Sequence, residues 1–183
     1  MDLDIKEYLS LAKKTSEEAV NLIEKGFLVS AGILSEQAKD IKTAADLEAQ
    51  EFIIQALSDT GIPILAEEST LKKRFEELHW IVDPLDGTMN FVRGFPMACV
   101  SIALWNGMQP VLGVINDIFS KSIFTGIVGD KAFHCEEPIG ISKTSEINQA
   151  IIATGFPSGR DYSTISLQKF VEKVQCYKKV RML

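Results

Sequence analysis

Residues 80–91 read Trp80-Ile81-Val82-Asp83-Pro84-Leu85-Asp86-Gly87-Thr88-Met89-Asn90-Phe91. A short apolar run leads into two carboxylates three positions apart, with a proline between them and a glycine directly after. The run reads as a buried strand. Pro84 fixes its own φ and biases Asp83 toward extended backbone, so the chain turns out of the strand and can bring Asp86 back toward Asp83. Gly87 lets the backbone approach a ligand closely, and Thr88 offers an amide and a hydroxyl. Residues 89–92 could open a helix whose first amides form an anion site.

A second short apolar segment, Ile62-Pro63-Ile64-Leu65-Ala66, also ends in acids, Glu67-Glu68. If the two strands point the same way, Glu67, Asp83 and Asp86 gather at one edge of the sheet. A single acid in a loop is most simply a helix cap or a solvated loop end. Several held together repel and raise one another's pKa unless a cation sits between them, which points to magnesium or a similar hard metal. Carboxylates for a metal beside amides for phosphate are the equipment of metal-assisted phosphate-ester hydrolysis. The haloacid dehalogenase design also sets aspartates before Gly-Thr, but at an interval of two. Here the interval is three with a proline inside, which disfavours an aspartyl-phosphate and makes water the nucleophile.

Outward from this stretch, apolar residues recur at spacings of three and four from Ile5 to Ile23, an amphipathic helix with Gly26 as its stop. Residues 31–40 read as a loop or bent segment. Thr43-Ala44-Ala45-Asp46 resembles a capping box opening a helix through about Leu57. After residue 91 the pattern becomes β-branched and alternating at 98–104, 111–115 and 122–127, an antiparallel meander, with a further strand at 150–154 and a helix over 166–178. This order gives an α+β fold, layered, with an antiparallel or mixed sheet packed with helices.

The chain has 183 residues, 46% hydrophobic and 24% charged, the composition of a globular protein with one sizeable core. No apolar run approaches the ~20 residues of a membrane helix, and the start is acidic and amphipathic, so a cytoplasmic location is expected. Cys99, Cys135 and Cys176 are widely separated and read as reduced thiols. A formal charge of −6 argues against a nucleic-acid partner but not against a small phosphorylated substrate. His79 and His134 have no partner at ligand spacing and read as surface or packing residues. Lys72-Lys73-Arg74 reads as a solvated loop.

Glu67-Glu68-Ser69, followed by the motif at 83–91, resembles the signature of the inositol monophosphatase family, magnesium-dependent, lithium-sensitive phosphatases that include fructose-1,6-bisphosphatases and bisphosphate nucleotidases. Thr43-Ala44-Ala45-Asp46 and Thr154-Gly155-Phe156-Pro157 resemble flanking segments of the same family. The resemblance implies a sugar-phosphatase-type fold, two or three Mg²⁺ ions held by Glu67, Asp83, the Leu85 carbonyl and Asp86, and Thr88 beside them. It implies that Asp46 hydrogen-bonds the Thr88 hydroxyl and that this pair, with Glu67, serves catalysis by helping water lose its proton. Gly87 and Thr88 amides would hold the phosphate, and Glu68 would support the loop. Met89-Asn90, where nucleotidases often have Lys-Glu, tilts the expected substrate to an inositol or sugar monophosphate over fructose 1,6-bisphosphate or phosphoadenosine phosphate. A homodimer is implied as well.

Three departures stand out. Ala66 replaces a usual glycine. The hairpin around Gly129–Glu137 is altered from the family's Gly-x-Gly-Ala-Phe turn and Asn-Gly. Neither Trp80 nor Trp105 precedes an aspartate, so the family's Trp-Asp-x-Ala-Ala-Gly motif is absent. Residues 1–183 are therefore expected to form an amino-terminal α+β metal- and phosphate-binding domain without its second half, or a shortened member. An inactive fragment or pseudoenzyme that binds cations or a partner is the alternative, and exposed apolar surface would favour self-association.

Overall fold

A computed structural model describes residues 4–29, 33–37, 40–66, 77–156 and 161–182. These form two compact units, residues 1–140 and residues 141–183. The first carries α1 (Ile5–Val29), the hairpin β1 (Ile33–Gln37) and β2 (Asp40–Thr43), α2 (Ala44–Ser58), β3 (Ile64–Ala66), β4 (Leu78–Asp86) and α3 (Thr88–Val92). The strands β5 (Cys99–Asn106), β6 (Gln109–Asp117), β7 (Ile123–Ile127), β8 (Ala132–His134) and β9 (Glu137–Ile139) follow. Strands β3 to β9 make one seven-stranded sheet in chain order. Only β3 and β4 in it run parallel, with Ala66 level with Val82, so both strands end at the same edge.

The sheet is mixed and packed with helices, an α+β arrangement. Helices α1 and α2 cover one face. Every fourth residue of α2, from Ala45 and Ala49 to Ile53 and Leu57, is buried, as is the α1 stripe Ala12, Ala19 and Ile23. They meet Trp80 and Val82 of β4, Val100, Ile102 and Leu104 of β5, and Leu112 and Val114 of β6. Trp80 is fully buried, its ring set edge-on to Tyr8 at 5.9 Å, and its indole N–H donates to Thr60 Oγ1 at 3.2 Å. Full burial of such an aromatic stabilises by roughly 2–3 kcal/mol.

Two sequence readings need correction. Helix α1 does not stop at Gly26. A Cβ there would lie 3.4 Å from the Ala45 Cβ, so this glycine serves close packing of α1 on α2 instead of ending the helix. Residues 33–37, within the stretch 31–40 read as a loop or bent segment, pair with 40–43 as an antiparallel hairpin. His79 is buried, a ring nitrogen 2.8 Å from the Glu77 carbonyl, and His134 stacks on Phe124 at 4.4 Å.

The second unit holds β10 (Ile151–Thr154), α4 (Thr164–Val174) and β11 (Lys179–Met182). The strands pair in parallel, with α4 as the crossover. The sequence placed a helix over 166–178; α4 ends at Val174, and β11, absent from that reading, follows.

The altered hairpin is retained as β8–β9, with Cys135 and Glu136 as its two-residue turn at φ 48° and 73°. Positive φ at both positions is the type I′ pattern that asparagine and glycine usually fill. Glu136 is held there by Lys13 at 2.9 Å, and this bond raises the Lys13 pKa and lowers that of Glu136. Cys135→Asn should therefore stabilise the unit by about 0.5–1 kcal/mol in urea denaturation, because left-handed backbone strains asparagine less than cysteine.

Candidate active site

Strand β4 carries the core of the site, and its register with β5 sets the geometry. Asp83 lies opposite Ser101, while Asp86 lies opposite Cys99. Three steps on β4 match two on β5, so one extra residue is inserted around Pro84 and Leu85, a β-bulge. In a regular strand, residues three apart face opposite sides of the sheet. Ser101 and Cys99 are two apart and share a side, and directly opposed residues share it with them. The bulge therefore puts Asp83 and Asp86 on the same face, away from the buried Val100 and Ile102 that meet the helices. Pro84, which has no N–H to give a ladder, falls where the ladder is interrupted.

The next residue turns the chain. Gly87 has φ 85° and ψ 34°, and a Cβ there would lie 2.6 Å from the Met97 carbonyl oxygen and 3.3 Å from the Ala98 Cα. Both the conformation and the space require glycine. Thr88 then opens α3, with Phe91 N donating to the Gly87 carbonyl at 2.9 Å. The Thr88 hydroxyl lies 3.0 Å from Asp46 Oδ1 and 2.9 Å from the Leu85 carbonyl oxygen. One proton is shared between two acceptors, and Asp46 reaches it from the first turn of α2. The Leu85 carbonyl keeps a second lone pair.

The surroundings are strongly negative. Burial first, and then the charges of Asp86, Asp83 and Asp117, push the Cys99 thiol up to about 11. Its Sγ lies 3.9 Å from Asp86 Oδ2. An open groove of about 400 Å³ starts at Asp86 and Gly87 and continues past Asn90, Met97, Asp117 and Phe124.

Among the described residues, no three His, Cys, Asp or Glu side chains form a metal cluster. The donors offered are two carboxylates on one face and a backbone carbonyl between them in sequence, all hard oxygens in a negative field. That set fits a divalent cation such as Mg²⁺, which takes few protein carboxylates and keeps waters.

The structure thus brings Asp46, Leu85 and Thr88 within hydrogen-bonding distance and sets Asp83, Asp86 and Gly87 around them. Glu67 and Glu68 lie outside the described residues, as does Pro157. Cys99, read from sequence only as a reduced thiol, and Asp117 were not expected at the site. They line the site through the register of β5 and β6, for which a single sequence gives no signal.

Residues 4–183 match the model of the inositol monophosphatase family. The chain is 34% identical over 163 residues to inositol monophosphatase 3 of Solanum lycopersicum, covering 86% of this chain and 61% of the relative. It thus spans under two thirds of that protein's length. Among solved structures, it superposes on the extragenic suppressor protein suhB of Bartonella henselae with a TM-score of 0.82 and 26% identity, covering 96% of this chain and 70% of the other. For an inositol monophosphatase from Anabaena the values are 0.79 and 28%, covering 98% and 68%.

Gly87→Ala should destabilise the first unit by at least about 2 kcal/mol, because the left-handed backbone alone costs about 1–2 kcal/mol and the Met97 carbonyl must also move; chemical denaturation reads this. With its thiol held near 11, Cys99 of the metal-free protein should react with iodoacetamide at pH 7.5 far more slowly than the exposed Cys135 and Cys176, as followed by peptide mass spectrometry.

Proposed function

The chain belongs to the inositol monophosphatase family, and we propose that residues 1–183 supply the cation- and phosphate-binding part of a site that hydrolyses an inositol or sugar phosphate monoester. The observation that carries this reading is the bulge that sets Asp83 and Asp86 on one face beside the Gly87 turn. Asp83, Asp86 and the Leu85 carbonyl, joined by Glu67, would hold two or three Mg²⁺ ions. Bound there, such ions supply Lewis-acid stabilisation of the phosphoryl oxygens and make water acidic enough to attack at neutral pH.

The chain's own groups do the rest. The amides of Gly87 and Thr88 hold the phosphate, in a turn whose shape is fixed by the left-handed glycine. Thr88 Oγ1 receives a proton from the attacking water as its own proton passes to Asp46 Oδ1, 3.0 Å away. Glu67 assists that deprotonation. A polyol or sugar as the leaving group follows from the family and from Met89-Asn90. The reading is completed by a homodimer in the cytoplasm. Among the described residues, no helix is long and apolar enough to cross a membrane.

The test is phosphate release from inositol 1-phosphate, fructose 1,6-bisphosphate and phosphoadenosine phosphate, with and without Mg²⁺. Release from inositol 1-phosphate should vanish on chelation. It should fall by about 10²-fold or more in Thr88→Ala and Asp46→Asn, the scale of a lost proton-transfer group, and at least as far in Asp86→Asn. Release that survives both chelation and Asp86→Asn contradicts the proposal, as does turnover of the adenosine substrate alone.

A further inference from the structure

Asn90 follows the proposed phosphate turn by two residues, and its side chain is committed to the protein. Its Nδ2 donates to the Met97 carbonyl oxygen at 2.9 Å. Its backbone carbonyl accepts from Phe95 N at 2.8 Å, and Met97 N in turn donates to the Phe95 carbonyl at 2.7 Å. One residue thereby grips both ends of the segment 95–97. The carbonyl it holds is the same one that lies where a Cβ of Gly87 would be, 2.6 Å from that position. Measured from the same Cβ position, the Ala98 Cα and Cβ lie farther off, at 3.3 Å and 3.5 Å, so the Met97 carbonyl is the nearest group on this side of the turn.

We infer that Asn90 is a positioning residue: by pinning the Met97 carbonyl against Gly87 it holds the Gly87–Thr88 turn in the one shape that presents its amides to an anion. This rests on the reading of that turn as the phosphate site and deepens it. It also adds to the meaning of Met89-Asn90, because Asn90 acts on the turn behind the phosphate. The chemistry selects asparagine. Aspartate has the same shape but would set a carboxylate against a carbonyl, and alanine would leave the carbonyl unheld.

The experiment uses the whole chain with Asn90→Ala and Asn90→Asp, and reads two quantities. The first is amide hydrogen exchange, by NMR, in the metal-free protein. Exchange at Phe91, Phe95 and Met97, whose amides bond to the Gly87, Asn90 and Phe95 carbonyls, should quicken about tenfold in both variants, the effect expected from losing one hydrogen bond, with Ile102 and Val114 of the sheet unchanged. The second is calorimetric binding of inorganic phosphate in saturating Mg²⁺. Its affinity should weaken about tenfold by the same reasoning, while Mg²⁺ affinity without phosphate stays at the wild-type value. A role of shape alone would leave Asn90→Asp like wild type, and that result overturns the inference. So does exchange at Phe91 and Met97 within twofold of wild type in Asn90→Ala. If the turn loosens in the variants but wild type binds no phosphate with Mg²⁺, the reading of the site fails and the clamp loses its ligand. If wild type binds phosphate and the variants bind it equally, the reading stands and the clamp alone is overturned.

Discussion

The arrangement of this site depends on a change of parity in one strand. An aspartate pair at an interval of three cannot share a face of a regular strand, and here the single inserted residue at Pro84-Leu85 makes it do so. Two carboxylates on one face with a peptide carbonyl between them in sequence would be a liability if left alone, because their charges repel. They become useful when a cation neutralises them, which ties the backbone irregularity to the chemistry.

The rest of the first unit keeps that bulge in register. Trp80 and Val82 anchor β4 among the helices, and Val100, Ile102 and Leu104 anchor β5 in the same core. A slip of one residue between the strands would turn the core residues of one of them outward, so the core enforces the pairing from which the bulge follows. Helix α2 packs on β4 through its buried every-fourth residues, and this sets its first turn, with Asp46, over Thr88. Stability and site thus come from the same burial. The polar end is cheap to hold because the apolar end is dry.

Much of the fold was legible because period-two patterning is strong where one face is buried. Val100, Ile102 and Leu104 announce β5, and Leu112 and Val114 announce β6. β1 and β2 were not legible: Ser35, Glu36 and Gln37 carry no apolar alternation, and the hairpin forms by pairing. β11 was hidden among Lys178, Lys179 and Arg181, with Val180 alone between them, and exists because β10 lies beside it. Gly26 looked like a helix stop because glycine is usually read through its backbone freedom. Here its missing side chain matters more, next to Ala45. At the site, the motif at 83–91 disclosed the residue types and their order. It did not disclose the bulge, the contact of Gly87 with Met97, or the bond of Asn90, because each needs a partner strand or loop whose register no single sequence states.

The central claim is that Asp83, Asp86 and the Leu85 carbonyl form one cation site because of the bulge. Crystals of the chain grown with Mn²⁺ in place of Mg²⁺ test it through anomalous scattering. The account predicts a peak in contact with both carboxylates and that carbonyl, absent in Asp86→Asn. A map in which Mn²⁺ binds elsewhere, or in which Asp83 and Asp86 point to opposite faces of β4, would contradict it.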